Sequence, residues 1–324
     1  DKAAGGRYTA LLGAGKTFGY TFPTTLRTYN TDDADAFGYS AFNAAQMAFA
    51  RLALDYISSV IDVSYIEVGD AAARNTVAFG NNAQQFSAAY AYYPSNSFHG
   101  NDLFLDNLTE QNLAPADGTY AALTLIHELG HTLGLEHPFV DDSDAPFLSG
   151  SEDDTAWTVM SYSDHPAQYH LAYSPLDIAA LQYLYGPSTT TRTGDDNHVV
   201  SATDANFIWD GAGVDAIDAS AQSQPVTLYL EPGLWGFVGT KSSSITAGGQ
   251  VTVNFGSAIE NLHGGSGDDN LWGNILANTL IGNAGNDTLD GGLGDDQLMG
   301  GLNFDLLVGG AGNDILRGGE QADN

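Results

Sequence analysis

The chain has 324 residues carrying 40 acidic against 9 basic side chains, a formal net charge of −31 at pH 7. That balance excludes nucleic acid as a partner, because phosphate binding needs clustered cations, and no apolar run approaches the ~18 residues of a membrane span, so no membrane insertion is expected. With 43 % hydrophobic residues the chain can bury a large core, its length predicts two domains, and with no cysteine it needs a staple other than disulfides, for which bound metal is a candidate.

Residues 1–36 are rich in Gly, Thr and Asp, with apolar pieces such as 18–22, and are expected to supply an entry strand and loops. The first residue is Asp1 and not Met, so an upstream segment is expected to have been removed. Over 37–60 the positions Phe42, Ala45, Phe49, Leu52, Tyr56 and Val60 recur at helical spacing and predict a long helix with that stripe in the core. Strands are predicted at 63–68, 76–79 and 88–92. His99, in a Ser/Asn/Gly loop, is expected at the surface. Next comes a helix predicted over about 121–133, carrying His127-Glu128-Leu129-Gly130-His131-Thr132-Leu133-Gly134-Leu135-Glu136-His137. His127 and His131 are four apart, on one helical face, and can reach one metal ion. Glu128 projects beside that metal, where a carboxylate can take a proton from an activated water. Gly134 lets the chain leave the helix sharply and return His137 as a third nitrogen ligand. Three protein ligands leave a zinc position open, the catalytic and not the closed structural arrangement.

The five aspartates of 141–154 predict a solvated loop, and His165 and His170 lack ligand spacing to the motif. Ser174, Pro175 and Asp177 predict a helix start, with Gly186-Pro187 as its stop. The domain boundary is placed there, giving domains of 1–187 and 188–324.

The motif resembles the zinc signature of the metzincin endopeptidases, whose downstream methionine turn is matched by Thr158-Val159-Met160-Ser161-Tyr162. Pro138 directly after His137 and the 176–186 segment point to the serralysin branch. The resemblance implies that Met160 floors the zinc site with soft sulfur. It also implies that Tyr162 is a switchable extra ligand whose phenol later hydrogen-bonds the tetrahedral intermediate. Most members have Gly where this chain has Phe139, a difference at the rim of the site and not at a ligand. Ala89, Tyr90, Ala91 and Tyr92 resemble the edge strand that pairs with an extended substrate; the plainer alternative is a β-strand with an aromatic face.

Residues 188–263 alternate strands, including 226–230 and 251–255, with Thr/Ser/Asp/Gly loops. Two loops resemble those that open the serralysin C-terminal domain. By that resemblance one calcium ion takes the carbonyls of Arg192, Gly194 and Ala212 with Asp196, Asp210 and Asp215. A second takes Gly213, Asp215, Ala258 and Glu260. The family usually has Thr at the position of Asp196. From Gly264 onward a glycine, a leucine and an Asp or Asn each recur every nine residues, as in Gly264, Leu271 and Asp269. This is the G-G-x-G-x-D-x-U-x repeat of the RTX parallel β-roll. Each nonad supplies one turn and one short strand, and its leucine is buried only by stacking. Family pattern then pairs turns two nonads apart. Gly265, Gly267 and Asp269 meet Gly282, Ala284 and Asp287. Asn274, Leu276 and Asn278 meet Gly291, Leu293 and Asp296. Asn283, Gly285 and Asp287 meet Gly300, Leu302 and Asp305. Gly292, Gly294 and Asp296 meet Gly309, Ala311 and Asp314. Gly301, Asn303 and Asp305 meet Gly318, Glu320 and Asp323. The turn with Asn274 and Asn278 departs most, having lost two glycines and a charge.

Taken together, the expectation is an α+β metzincin catalytic domain followed by an all-β parallel β-roll (RTX) domain. Its expected complement is one zinc and about seven calcium ions, if every inferred site fills. The implied activity is that of a secreted zinc endopeptidase acting on extracellular proteins, a monomer, with a proteinaceous inhibitor as a further partner. The implied source is a Gram-negative bacterium using type I export, with the roll truncated at residue 324. An alternative of another class is a calcium-dependent cell-surface or S-layer-associated binding protein with a secondary protease domain.

Overall fold

A computed structural model describes residues 16–30, 32–69, 75–94, 101–139, 147–148, 150–163 and 169–321. His99, His165, Asp323 and the aspartates of 141–146 lie outside the described residues. The chain divides into two compact units between Tyr185 and Gly186, two residues before the expected boundary.

In the first unit the described elements are β1 (Thr17–Thr21), α1 (Asp33–Ala36), α2 (Ala44–Val60), β2 (Ser64–Glu67), β3 (Thr76–Asn82), β4 (Ala89–Ala91), β5 (Leu103–Asp106), α3 (Glu110–Leu113), α4 (Tyr120–Thr132) and α5 (Pro175–Tyr185). Among the described residues the strands form one sheet in the order β2-β1-β3-β5-β4. All pairs are parallel except β4 on β5, so β4 is a reversed strand at the edge. Helix α4 packs against β4 and β5, and this contact sets the cleft. Leu125, Ile126 and Leu129 of α4 meet Phe49, Leu54 and Ile57 of α2 and Phe79 and Leu103 of the sheet in one core.

Helix α2 starts at Ala44, seven residues later than its pattern predicts. The cause is a reciprocal cap: Gln46 N–H donates to Asn43 Oδ1 at 3.0 Å, and Asn43 N–H donates to Gln46 Oε1 at 3.0 Å. The buried face also differs from the predicted stripe. Ala45 is exposed and Leu52 is 58 % exposed, while Ala50 and Ala53 are fully buried. The alanines allow a close approach that a size-weighted reading of the pattern overlooks.

The second unit stacks short strands on a period of 18 residues. In one sheet Leu262 lies beside Leu280, Leu280 beside Leu298 and Leu298 beside Leu316; in the other Leu271, Leu289 and Leu307 align behind Leu228. Successive nonads therefore alternate between sheets, and their leucines meet in the middle. Leu262, Leu271, Leu280, Leu289 and Leu298 are fully buried, whereas Leu316, on an edge strand, is 45 % exposed. Strands predicted at 226–230 and 251–255 form over Val226–Tyr229 and Gln250–Val253.

Gln46 is the polar pin of the first core. Besides the cap, its Nε2 donates to Asn81 Oδ1 at 2.7 Å and to the Asn112 carbonyl at 2.9 Å, fully buried. Gln46→Leu keeps the volume and strands these partners, so stability in a denaturant titration should fall by about 2–4 kcal/mol. A loss below about 0.5 kcal/mol, the size of an ordinary surface change, would contradict that role.

Candidate active site and cation-binding turns

Helix α4 places His127 and His131 one turn apart, and Gly134, at φ +98°, reverses the chain so that His137 returns. One ring nitrogen of each histidine lies within 4.8 Å of the others. The Nδ1–H of His127 donates to the Val159 carbonyl at 2.7 Å and that of His131 to the Leu135 carbonyl at 2.8 Å. A carbonyl only accepts, so each Nδ1 must carry the proton and each Nε2 presents a lone pair. His131 Nε2 then sits 3.2 Å from His137 Nε2. Burial pushes the pKa of His127 down to about 4 and that of His131 to about 3, with the neighbouring rings adding to the effect. Imidazole nitrogens converging on one point are the donor set a zinc ion takes.

Glu128 is fully buried, and burial raises its pKa to about 8, a backbone contact from Ala91 offsetting part of this. Its Oε2 has no hydrogen-bond partner. A buried carboxylate oxygen without a partner, beside a cluster of lone pairs, fits a site that receives a cation and a polar ligand. A cavity of about 300 Å³ opens next to it, lined by Phe86, Ala89, Tyr120, Leu123, His127, Glu128 and Tyr162.

Met160 is buried beneath the site. A Cβ on Gly130 would come within 2.7 Å of its sulfur, so the glycine between the two helical histidines makes room for it. The turn around Met160 is held by Asp177 of α5, whose sequence signal was that of a helix start. Its carboxylate accepts from Thr158 Oγ1 at 2.6 Å, Val159 N–H at 2.7 Å and Ser174 N–H at 3.1 Å. Val159 in turn presents its carbonyl to His127, so Asp177 orients a candidate ligand through one residue. Full burial raises its pKa to about 7 against these donors.

Tyr162 is 68 % exposed, with its phenol oxygen 3.1 Å from His137 Nε2. Phe139, taken from the sequence as a rim residue, lies face-on to His137 with ring centroids 5.0 Å apart and planes at 9°. Tyr90 on β4 and Tyr92 just after it donate their hydroxyls to Asp35 Oδ1 at 2.6 and 3.0 Å, a buried anchor that no sequence pattern marked. Asp106 N–H donates to the Ala88 carbonyl and Tyr92 N–H to the Asp102 carbonyl, so the backbone of Ala89 and Ala91 faces away from β5. His170, which lacks ligand spacing to the motif, is exposed and pairs with Asp117 at 3.1 Å.

In the second unit the carboxylates of Asp196, Asp210 and Asp215 converge within 4.8 Å. Asp215 Oδ1 accepts from Asp196 N–H at 2.8 Å, its Oδ2 is buried without a partner, and Glu260 accepts from Asp215 N–H at 2.9 Å. His198, which the sequence did not mark, lies 3.2 Å from Asp210. The roll repeats this pattern. Asp287 Oδ1 accepts from Asp269 N–H and Asp296 Oδ1 from Asn278 N–H, both at 2.8 Å, leaving the Oδ2 of Asp287 and of Asp296 buried without a partner. Asp287 folds back so that a Cβ on Gly282 would lie 2.3 Å from its Oδ2, and Gly285, at φ +135°, could not carry one within 2.1 Å of the Gly267 carbonyl. Such glycine cradles aim carbonyls and carboxylates at the space between turns, the donor set of calcium. The Asn278 turn differs: its Nδ2 donates to the Glu260 carbonyl at 3.2 Å and to Asn274 Oδ1 at 3.1 Å, so an amide joins groups that a cation would otherwise bridge.

A histidine-bearing helix against a mixed sheet, followed by a roll of glycine–aspartate turns, defines a metalloprotein with two cation chemistries. The chain belongs to the matrixin (peptidase M10) family, whose profile matches residues 15–186. Four copies of the RTX calcium-binding nonapeptide repeat match 192–223, 256–275, 272–307 and 299–324. The chain is similar to serralysin of Proteus mirabilis, 34 % identical over 82 % of this chain and 60 % of that protein. It is also similar to serralysin C of Dickeya chrysanthemi, 35 % identical over 78 % and 58 %. With metallopeptidase AprA of Pseudomonas marginalis it shares 34 % identity over 81 % and 61 %. The chain thus spans about 60 % of the length of these relatives.

Burial, followed by the neighbouring aspartates, raises Asp287 to about 7, and burial raises Asp269 and Asp296 as well. These carboxyls bind protons more tightly folded than unfolded, where ~3.9 is usual. In calcium-free buffer the roll should therefore be most stable below about pH 4 and weaken as pH rises toward about 7. Saturating calcium should flatten this slope, because the cation replaces the proton. Urea midpoints across that range, with and without calcium, check it; a calcium-free midpoint that rises with pH would contradict it.

Proposed function

We propose that the chain is the catalytic and calcium-binding portion of a secreted zinc-dependent endopeptidase that hydrolyses peptide bonds of extracellular proteins. The observation that carries this is the convergence of three histidine nitrogens, two of them held as acceptors by Nδ1–H bonds to carbonyls, beside the unpartnered Glu128 Oε2. His127, His131 and His137 would hold the zinc, which when bound supplies Lewis-acid polarisation of the scissile carbonyl and brings the pKa of water toward ~7. An extended substrate adds alongside β4, using the outward backbone groups of Ala89 and the Ala91 carbonyl. Glu128 takes the proton of the attacking water at its carboxylate and delivers it to the leaving amine. The Tyr162 phenol donates to the oxyanion as it develops. The cavity beside Glu128 receives the side chain that flanks the cleaved bond.

Asp196, Asp210, Asp215 and Glu260, and the acceptors between stacked turns, would hold calcium, the Asn278 turn most weakly. A fold dependent on that ion, without cysteine, suits the extracellular medium. The repeats and the bacterial relatives support export by a one-step, type I route. Among the described residues no helix is long and apolar enough to cross a membrane.

Glu128→Gln keeps the three histidines and removes the base. Zinc content by elemental analysis should stay near one per chain, while kcat on a peptide substrate falls at least ~10²-fold. Near-normal turnover in the zinc-loaded variant would sink the assignment of Glu128.

A further inference from the structure

We propose that Phe139 is a positioning residue that holds the Tyr162 phenol over the histidine cluster; this rests on the peptidase mechanism above. Tyr162 is too exposed for burial to fix its ring. Three aromatic rings pack against it. Phe139 lies 4.8 Å away at 51°, His137 4.8 Å away at 59°, and His127 6.0 Å away at 26°. Phe139 is also the ring stacked on His137, so it touches a zinc-binding imidazole and the phenol at once. It is only half-buried and stands apart from the hydrophobic core of its unit. A large apolar side chain placed there contributes to the site and not to the fold.

The backbone makes this contact stiff. Pro138 fixes its own φ and biases His137 toward extended conformations. The three consecutive residues His137, Pro138 and Phe139 therefore carry ligand and brace as one piece. Offset-stacked and tilted ring pairs of this kind are favourable beyond the area they bury. Removing the ring takes away one of the aromatic walls against the tyrosine and widens the range of positions its phenol samples over His137. Because the phenol acts on the developing oxyanion, the loss falls on kcat, by roughly three- to tenfold, with KM changed less than about twofold.

The test uses the full chain with zinc and calcium bound, in Phe139→Leu, Phe139→Tyr and Tyr162→Phe variants. Turnover of a peptide substrate is measured alongside ¹⁹F NMR of chain labelled with 3-fluorotyrosine at its 16 tyrosines. The resonance missing from Tyr162→Phe identifies residue 162. Phe139→Leu should lower kcat, move that resonance toward its solvent-exposed position and leave most other lines and the zinc content unchanged. Phe139→Tyr should restore both the shift and kcat. Normal kcat and an unmoved resonance in Phe139→Leu, with Tyr162→Phe impaired, would overturn the role of Phe139 alone. An effect of Phe139→Leu on KM only would do the same, making it a substrate-contact residue. An unimpaired Tyr162→Phe would overturn the role given to Tyr162 and this inference with it.

Discussion

His131 Nε2 and His137 Nε2 face each other at 3.2 Å, and the carbonyl of Leu135 fixes the His131 ring so that its lone pair points inward. His127 Nε2 is held as an acceptor in the same way, so the cluster suits a positive charge placed among the three rings. The same condition recurs in the second unit, where Asp215, Asp287 and Asp296 each bury a carboxylate oxygen with no partner. Both units therefore bring acceptor atoms together at one point, and both use backbone geometry to do it. In the first, Nδ1–H bonds to carbonyls orient the imidazoles. In the second, N–H bonds between turns 18 residues apart orient the carboxylates. The donor types suit different cations: imidazole nitrogens for zinc, oxygens for calcium.

The rest of the first unit follows from keeping this cluster in place. Asp177 carries the methionine turn, the turn carries the Val159 carbonyl, and the carbonyl fixes His127. Met160 fits under the helix because Gly130 has no side chain. Asp35, buried at a distance, ties Tyr90 and Tyr92 down and with them the edge strand beside Glu128. None of these groups belongs to the histidine cluster, yet each removes a freedom that the cluster and its neighbours would otherwise have.

Much of this architecture was legible in the residues. The spacing of His127, His131 and His137 needs only helical periodicity and one glycine turn to converge, and the nonads need only a period. What depended on tertiary partners was not legible. Asp177 looked like a helix cap because its other two donors lie 18 and 19 residues earlier in the chain. Phe139 looked like a rim residue because stacking on its near neighbour His137 leaves no periodic trace. Helix α2 was given seven residues too many because the hydrophobic pattern continued through a cap set by Asn43 and Gln46. In the turn at Asn274 the missing glycines were visible, but the bond from the Asn278 amide to the Glu260 carbonyl was not.

The central claim is that the two sets of converging side chains take two different cations. Anomalous diffraction from crystals grown with both ions tests it most directly, using data collected above and below the zinc edge. Zinc-specific density should appear once, among His127, His131 and His137, and calcium density should lie beside Asp215 and between the turns that contain Asp269 and Asp287. A histidine cluster without zinc-specific density, or a roll folded in calcium with no ion between those turns, would contradict the claim.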